Sequence, residues 1–377
     1  MNIIVNNLKK LTHNQIILCT ILILFFAISV LFVNNNASFY KDPVAEVIKT
    51  DIVKKNNVID RFQNKDSLFT QKITAQLKSG KEKGEFIRLK NKYSASGVYD
   101  QAYHVGNELF VSINKNEAKK LTGSIIGVKR DKYVLIIAWL FIFLLLLVGR
   151  MQGFFSIISL AVNASLMFFA LDVYVNHSTI SLLWICGISV VLFTFVSLLL
   201  INGLNEKAFT AAITTLLGTF SSLLITYLVM WLTSEKGLRY EEMQFLTRPY
   251  HMVFMAGLFV GSLGTIMDVA ITISSSLFGL YEKDHDISIT ALKSSGMEIG
   301  KDVMGTLTNV LFFVYISGSI PMIILYLKNA SLLDFTLSMN LSLELARALA
   351  GGIGIVITIP IGIYTSILFI NRKRKRL

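Results

Sequence analysis

Apolar residues in this chain fall into long uninterrupted runs, and one polar stretch of about a hundred residues separates the first run from the rest. The first run covers 16–33, and later ones cover 133–148, 154–175, 180–201, 208–232, 252–280, 303–326 and 346–370. A helix needs about 20 apolar residues to cross a bilayer, so the pattern predicts eight transmembrane helices. Between 34 and 132 the pattern changes to alternation. Phe69, Gln71, Ile73, Ala75 and Leu77 form one such stretch, followed by 85–90 and 109–113. Turn signals at Ser79-Gly80, Gly84, Ser96-Gly97 and Gly106-Asn107 separate them. Period-two patterning bounded by turns predicts a small antiparallel β domain, barrel-like in closure.

The expected organisation is a tail and anchor helix over 1–33, a β domain outside the membrane over 34–132, a seven-helix membrane domain over 133–370, and a basic tail over 371–377. The first run could also be read as a signal peptide. Its length and the Asn34-Asn35-Asn36 sequence that ends it favour a retained anchor. Short connectors are expected at 149–153, 172–178 and 202–207. Longer ones are expected at 233–251 and 329–347 on the outer side and at 281–302 on the inner side, the last with a short N-capped helix from Ser288.

Composition agrees with a membrane assignment: 53% of the 377 residues are hydrophobic and only 16% are charged. Soluble domains average about 25% charged residues. The net charge of +12 is therefore read by position, not as a sign of nucleic-acid binding. Arg372 to Arg376 places the C-terminus in the cytoplasm and provides contact with anionic lipid; an even number of spans then puts the N-terminus there too. Lys129, Arg130 and Lys132, on the outer side in this topology, run against the rule. Cys19 and Cys186 lie in apolar runs and read as small core residues, not as a disulfide framework.

Asp268 is the chief chemical candidate. An ionisable residue within a span is costly, and it faces protein or water more often than lipid. Helical spacing joins it to Gly261, Gly264, Thr265, Thr272 and Ser276 in one small, polar stripe that begins near Gly257. The next span carries Asp302, Gly305, Thr306 and Asn309 on one face, and the last carries Arg347, Gly351, Gly354 and Thr358. Three such faces predict a three-helix module around a shared interior. Two readings remain open: a seam of close helix packing, with Gly257, Gly261, Gly264, Gly351 and Gly354 as contacts, or a polar site formed by Asp268, Thr272, Asn309, Thr306, Asp302 and Arg347.

Enzymatic readings are weak. The 296–302 segment GMEIGKD is one spacer residue short of a phosphate-binding loop and ends in Asp where Ser or Thr is needed. Asp284-His285-Asp286 is a solvated charged loop without a partner cluster, so no metal is expected. No HExxH or GxSxG occurs, so neither catalysis nor a cofactor is expected.

The stretches GLFVGSLGTIMDVAITISSSL, SSGMEIGKDVMGTLTNVLFFVY and ELARALAGGIGIVITIP resemble the YibE/F family of bacterial multi-pass membrane proteins, in its larger, ectodomain-containing form. The likeness runs from about 133 to the C-terminus, and its motifs place emphasis on Asp268, Lys301, Asp302, Gly305, Asn309 and Arg347. It implies the bacterial cytoplasmic membrane and a partner that is either a paralogue or a second copy, but it hands over no activity. The leading functional expectation is a permease-like transporter with a pathway at Asp268. The other is a scaffold or hetero-oligomer subunit whose outer domain binds a partner.

Overall fold

The computed structural model describes residues 13–97, 100–115, 121–177, 180–243 and 249–375. The chain divides into two compact units, Met1–Leu144 and Leu145–Leu377.

The first unit begins with helix α1 (His13–Asn35) and a 3-10 turn (Asn36–Phe39). Five strands follow: β1 (Val44–Ile59), β2 (Lys65–Leu77), β3 (Phe86–Ser94), β4 (Glu108–Lys115) and β5 (Leu121–Val128). They close into a barrel in the order β1-β2-β3-β5-β4. Every pairing is antiparallel except β3 with β5, which is parallel and makes the sheet mixed. The expected alternation supplies the core: Val47, Ile73, Ala75, Leu77, Ile87, Leu89, Leu109 and Val111 are all buried. β1 and β5 are strands the alternation did not reveal. β1 is buried only in its first residues and is exposed through KKNN, so its hydrophobic period vanishes. β5 is short and interrupted by Gly123 and Gly127.

A charged knot joins barrel and helices within this unit. Lys129 Nζ donates to Glu108 Oε2 at 2.6 Å and to the Val33 carbonyl at 3.0 Å, and lies 3.2 Å from Asp131 Oδ1. Asn36 Nδ2 and the Tyr40 hydroxyl both donate to Asp131, at 2.9 and 2.8 Å. Burial opposes the charge of Lys129, but the Glu108 and Asp131 carboxylates outweigh it and hold the ammonium above its usual pKa. Lys129 is thus an internally neutralised charge and drops out of the positive-inside count.

Among the described residues, seven helices are long and apolar enough to cross a membrane. After α1 come α2 (Asp131–Asn176), α3 (Leu182–Asn202), α4 (Glu206–Thr233), α5 (Tyr250–Lys283), α6 (Ile289–Lys328) and α7 (Leu333–Arg374). α2 is broken at Arg150, where φ is 47° and ψ is −123°, so its two arms match the two spans expected on either side of that point. The expected loops are shorter than predicted. α6 starts at Ile289, capped by Ser288 accepting from the Ala291 amide, and the supposed short helix over 288–293 is its first turn. α7 starts at Leu333 and absorbs most of the expected outer connector. At 1.5 Å per residue, α6 and α7 are each about 60 Å long, twice the hydrocarbon thickness. Their polar ends therefore continue as helix beyond the apolar zone.

Within the second unit α7 is the hub, packing against α4, α5 and α6. The module is thus larger than the predicted three helices, because α4 is a full member. Its buried face is a run of Thr210, Thr214, Thr215, Gly218, Thr219, Ser222 and Thr226. Thr210, Thr215, Thr219 and Thr226 donate to their own i−4 carbonyls, which satisfies the hydroxyls while the methyl groups pack. α5 and α6, by contrast, touch only lightly.

Candidate functional site

The gap left between α5 and α6 contains Asp268. The side chain is exposed and makes no hydrogen bond or ion pair with the described residues. It borders a cavity of about 780 Å³ bounded by the second arm of α2, α3, α5 and α6. Asn163, Ser197, Thr265 and Tyr315 supply the other polar atoms of the lining. Apolar walls come from Phe193, Leu263, Met267 and Val310.

The α2 and α3 side of this groove is fixed by hydroxyl contacts. Asn163 Nδ2 donates to Ser197 Oγ at 2.7 Å, and Ser159 Oγ lies 3.3 Å from the same atom. With its nitrogen so engaged, the buried Asn163 Oδ1 has no hydrogen-bond partner. An unpaired acceptor is costly in an apolar setting. The groove is therefore lined by Asn163, whose amide oxygen is buried and unpaired, and by the exposed Asp268 carboxylate, which is able to accept a proton donor or bind a cation. On the opposite wall the Tyr315 hydroxyl enters the space that a Cβ at Gly261 would fill, so this glycine admits a phenol.

The predicted residues do not form one cluster. Thr272 is half-buried on α5, one turn beyond Asp268 and outside the cavity lining. Asp302 and Thr306 are exposed on α6. Asn309 lines a second, largely apolar cavity of about 670 Å³ between α6 and α7, with Gly305, Thr308, Ala348 and Gly352. Leu311 lines the first cavity and packs where a Cβ at Gly351 would stand, 2.8 Å from its Cδ1, next to Gly352 of the second. Arg347 forms an ion pair with Glu344, three residues earlier, and its guanidinium lies 5.2 Å from the Phe254 ring centre.

The glycines also divide. Gly351 and Gly354 are buried contacts, and a Cβ at Gly354 would lie 2.5 Å from Ile266 Cδ1 and 3.0 Å from Ser222 Oγ. Gly257 and Gly264 face open space instead, with nothing within 4 Å of a Cβ, so neither is a packing contact in the described chain. Sequence reasoning missed Asn163, Ser197, Tyr315 and Glu344. The Glu344-x-x-Arg347 spacing was a readable signal for the last of these. Asn163 and Ser197 are single polar residues in separate spans, and only their meeting in space makes them informative.

Comparison with curated proteins yields no match, and neither does comparison with solved structures. Two family models do match: that of the YibE/F family N-terminal domain over 38–128 and that of the YibE/F-like protein over 137–372. The second alone spans more than half of the chain and takes in the whole Asp268 groove, so this membrane protein belongs to the YibE/F family.

Proposed function

We propose that the second unit is a permease-like transporter whose coupling or transported species is a cation or proton bound at Asp268. One observation carries this reading: a mid-span carboxylate without a partner borders a cavity of about 780 Å³, lined also by Asn163 with its buried, unpaired Oδ1. A carboxylate retained for packing would be closed in and hydrogen-bonded, because an unpaired ionisable group within a span costs several kcal/mol (about 3 on insertion scales). An accessible carboxylate without a fixed donor suits a species that arrives and leaves. In this reading the basic C-terminal end lies in the cytoplasm of a bacterial cell, against anionic lipid, and the barrel lies outside.

The test is flux in proteoliposomes containing the purified full-length protein, with proton movement read by a pH-sensitive dye and monovalent cations tested in turn. Wild type should carry one of these species above empty vesicles, and Asp268→Asn should abolish it while the protein stays inserted and folded. Flux that survives Asp268→Asn unchanged, with the same pH dependence, would sink the proposal.

Asn309 favours a second element, a partner subunit. This amide sits in the middle of α6 and is exposed beside the apolar α6–α7 cavity, an unfavourable place for lipid contact. A paralogous chain or a second copy covering this face would satisfy it. Cross-linking through Asn309→Cys in native membranes should trap that neighbour, and a product of monomer size only would count against it.

A further inference from the structure

We infer that the β barrel of the first unit binds a linear phosphate-bearing polyanion along the outward face of β1, β2 and β3. A groove of about 400 Å³ runs over this face, where Lys54, Asn56, Thr70, Lys90 and Lys92 line it beside the Phe69 and Tyr93 rings, with Asp100 also in the lining. The register explains the convergence. Lys54 pairs with Thr70 and Thr70 with Lys92, so three neighbouring strands present one row. Lys72 extends the basic surface directly opposite Lys90.

Two features set these lysines apart from an ordinary solvated face. First, Lys54, Lys72, Lys90 and Lys92 are all exposed, and none has an ion-pair partner among the described residues. The acid nearest in register, Asp51, is held by Lys49 at 3.2 Å. Asp100, in the lining of the groove, is engaged by the Ser94 amide and hydroxyl, from which it accepts at 2.9 and 2.8 Å. Second, like charges directly opposite each other on a sheet destabilise it, and Lys72 faces Lys90 on one side, while Asp51, opposite Lys72 on the other, is shared with Lys49 and offsets only part of the positive charge. An anion lying across the strands would remove that repulsion.

The charge spacing suits a chain better than a single ion. Lys90 and Lys92 stand two residues apart on one strand, about 7 Å, and adjacent strands are about 4.8 Å apart. The strand order and the parallel β3–β5 pair are those of five-stranded Greek-key barrels of the OB type, which take extended oligomers on the β2–β3 face. Single-stranded nucleic acid fits this face less well, because such sites stack bases on free aromatic faces. Here Phe69 lies between the Tyr93 ring, stacked at 4.9 Å, and the Lys55 ammonium, 5.5 Å from the ring centre. It has no face left for a base.

The test uses the full chain in nanodiscs of neutral phosphatidylcholine, with fluorescent linear inorganic polyphosphate as the probe. Binding should weaken steeply with salt, as expected where lysines release counterions. Lys90→Gln/Lys92→Gln should lower affinity at least tenfold and flatten the salt dependence. Lys54→Gln alone should give a smaller loss in the same direction, and Lys81→Gln/Lys83→Gln, on the exposed β2–β3 turn, should bind as wild type. Wild-type affinity in the Lys90/Lys92 variant overturns the proposal. So does tighter binding of a thymidine oligonucleotide of equal charge, which would make the face a nucleic-acid site. Recruitment to phosphatidylglycerol vesicles without binding of soluble polyphosphate also overturns it, in favour of a lipid surface.

Discussion

The helical unit contains two stripes of small and polar residues with opposite fates. The α4 stripe is sealed against α7, and its polar atoms are satisfied: Thr214 and Thr365 hydroxyls meet at 2.6 Å, and Ser222 Oγ donates to the Ala350 carbonyl at 2.8 Å. The α5 stripe is split. Gly261 receives the Tyr315 hydroxyl, Gly264 meets nothing, and Asp268 borders a cavity without a partner. Small residues in a span bring helices together when both faces are complementary, as for Gly354 against Ile266 and Ser222. Where the opposing face is bulky or withdrawn, the same composition leaves a groove. Polarity alone therefore does not separate packing from function; the satisfaction of each polar atom does.

The strongest way to break this comparison is to enlarge one glycine in the sealed seam, on the α7 side, and one in the open α5 stripe. Gly354→Leu must displace Ile266 and Ser222 in the sealed seam. Overpacking of this kind should cost about 3 kcal/mol, seen as a lower thermal midpoint in detergent and a poorer yield of monodisperse protein. Gly264→Leu enters open space and should leave the stability within about 0.5 kcal/mol of wild type while obstructing the groove and its flux. Equal destabilisation by the two substitutions would mean that the groove is not open.

A smaller effect comes from the hydroxyl pair. Thr214→Val removes one partner of Thr365 at nearly constant volume and should cost about 1 kcal/mol. A double-mutant cycle with Thr365→Val should return a coupling of about 0.6 kcal/mol, the typical size for hydrogen bonds between membrane helices. Asp268→Asn should show no such cost, because no hydrogen bond is lost. Its stability should stay within about 0.5 kcal/mol of wild type, and the whole effect should appear in flux. A large fall in stability would turn Asp268 into a packing residue with an undetected partner.

The apolar runs made the helices legible, and the alternation over Phe69–Leu77 made the barrel core legible, because burial writes its period into the sequence. The exposed half of β1 has no such period, so its pairing with β2 through KKNN could not be read. Asp268 was legible for the reverse reason: a charge in an apolar run violates the pattern. Its surroundings were not legible. Asn163 on α2 and Ser197 on α3 join it through tertiary packing, and helical spacing relates only residues on one helix. The same limit explains why Asn309 looked like a partner of Asp268. Three polar faces were visible, but not the rotation of α6 that turns Asn309 toward α7 and Val310, Leu311 and Tyr315 toward the groove.

That rotation leads to the prediction with the smallest expected effect. If the two cavities are separate, Asn309→Ala should change neither the stability, beyond about 0.5 kcal/mol, nor the flux that depends on Asp268. The groove wall then becomes the informative place. Leu311→Ala shortens the side chain that lines one cavity and packs at Gly351 beside the other. In Leu311→Ala protein the two spaces would communicate, and Asn309→Ala should acquire an effect on flux that it lacks in wild type. Non-additivity between Leu311→Ala and Asn309→Ala, measured as a cycle on flux, would mark Leu311 as the wall. If Asn309→Ala alone already reduces flux as far as Asp268→Asn, the cavities are one pathway, and the boundary at Leu311 opens during transport.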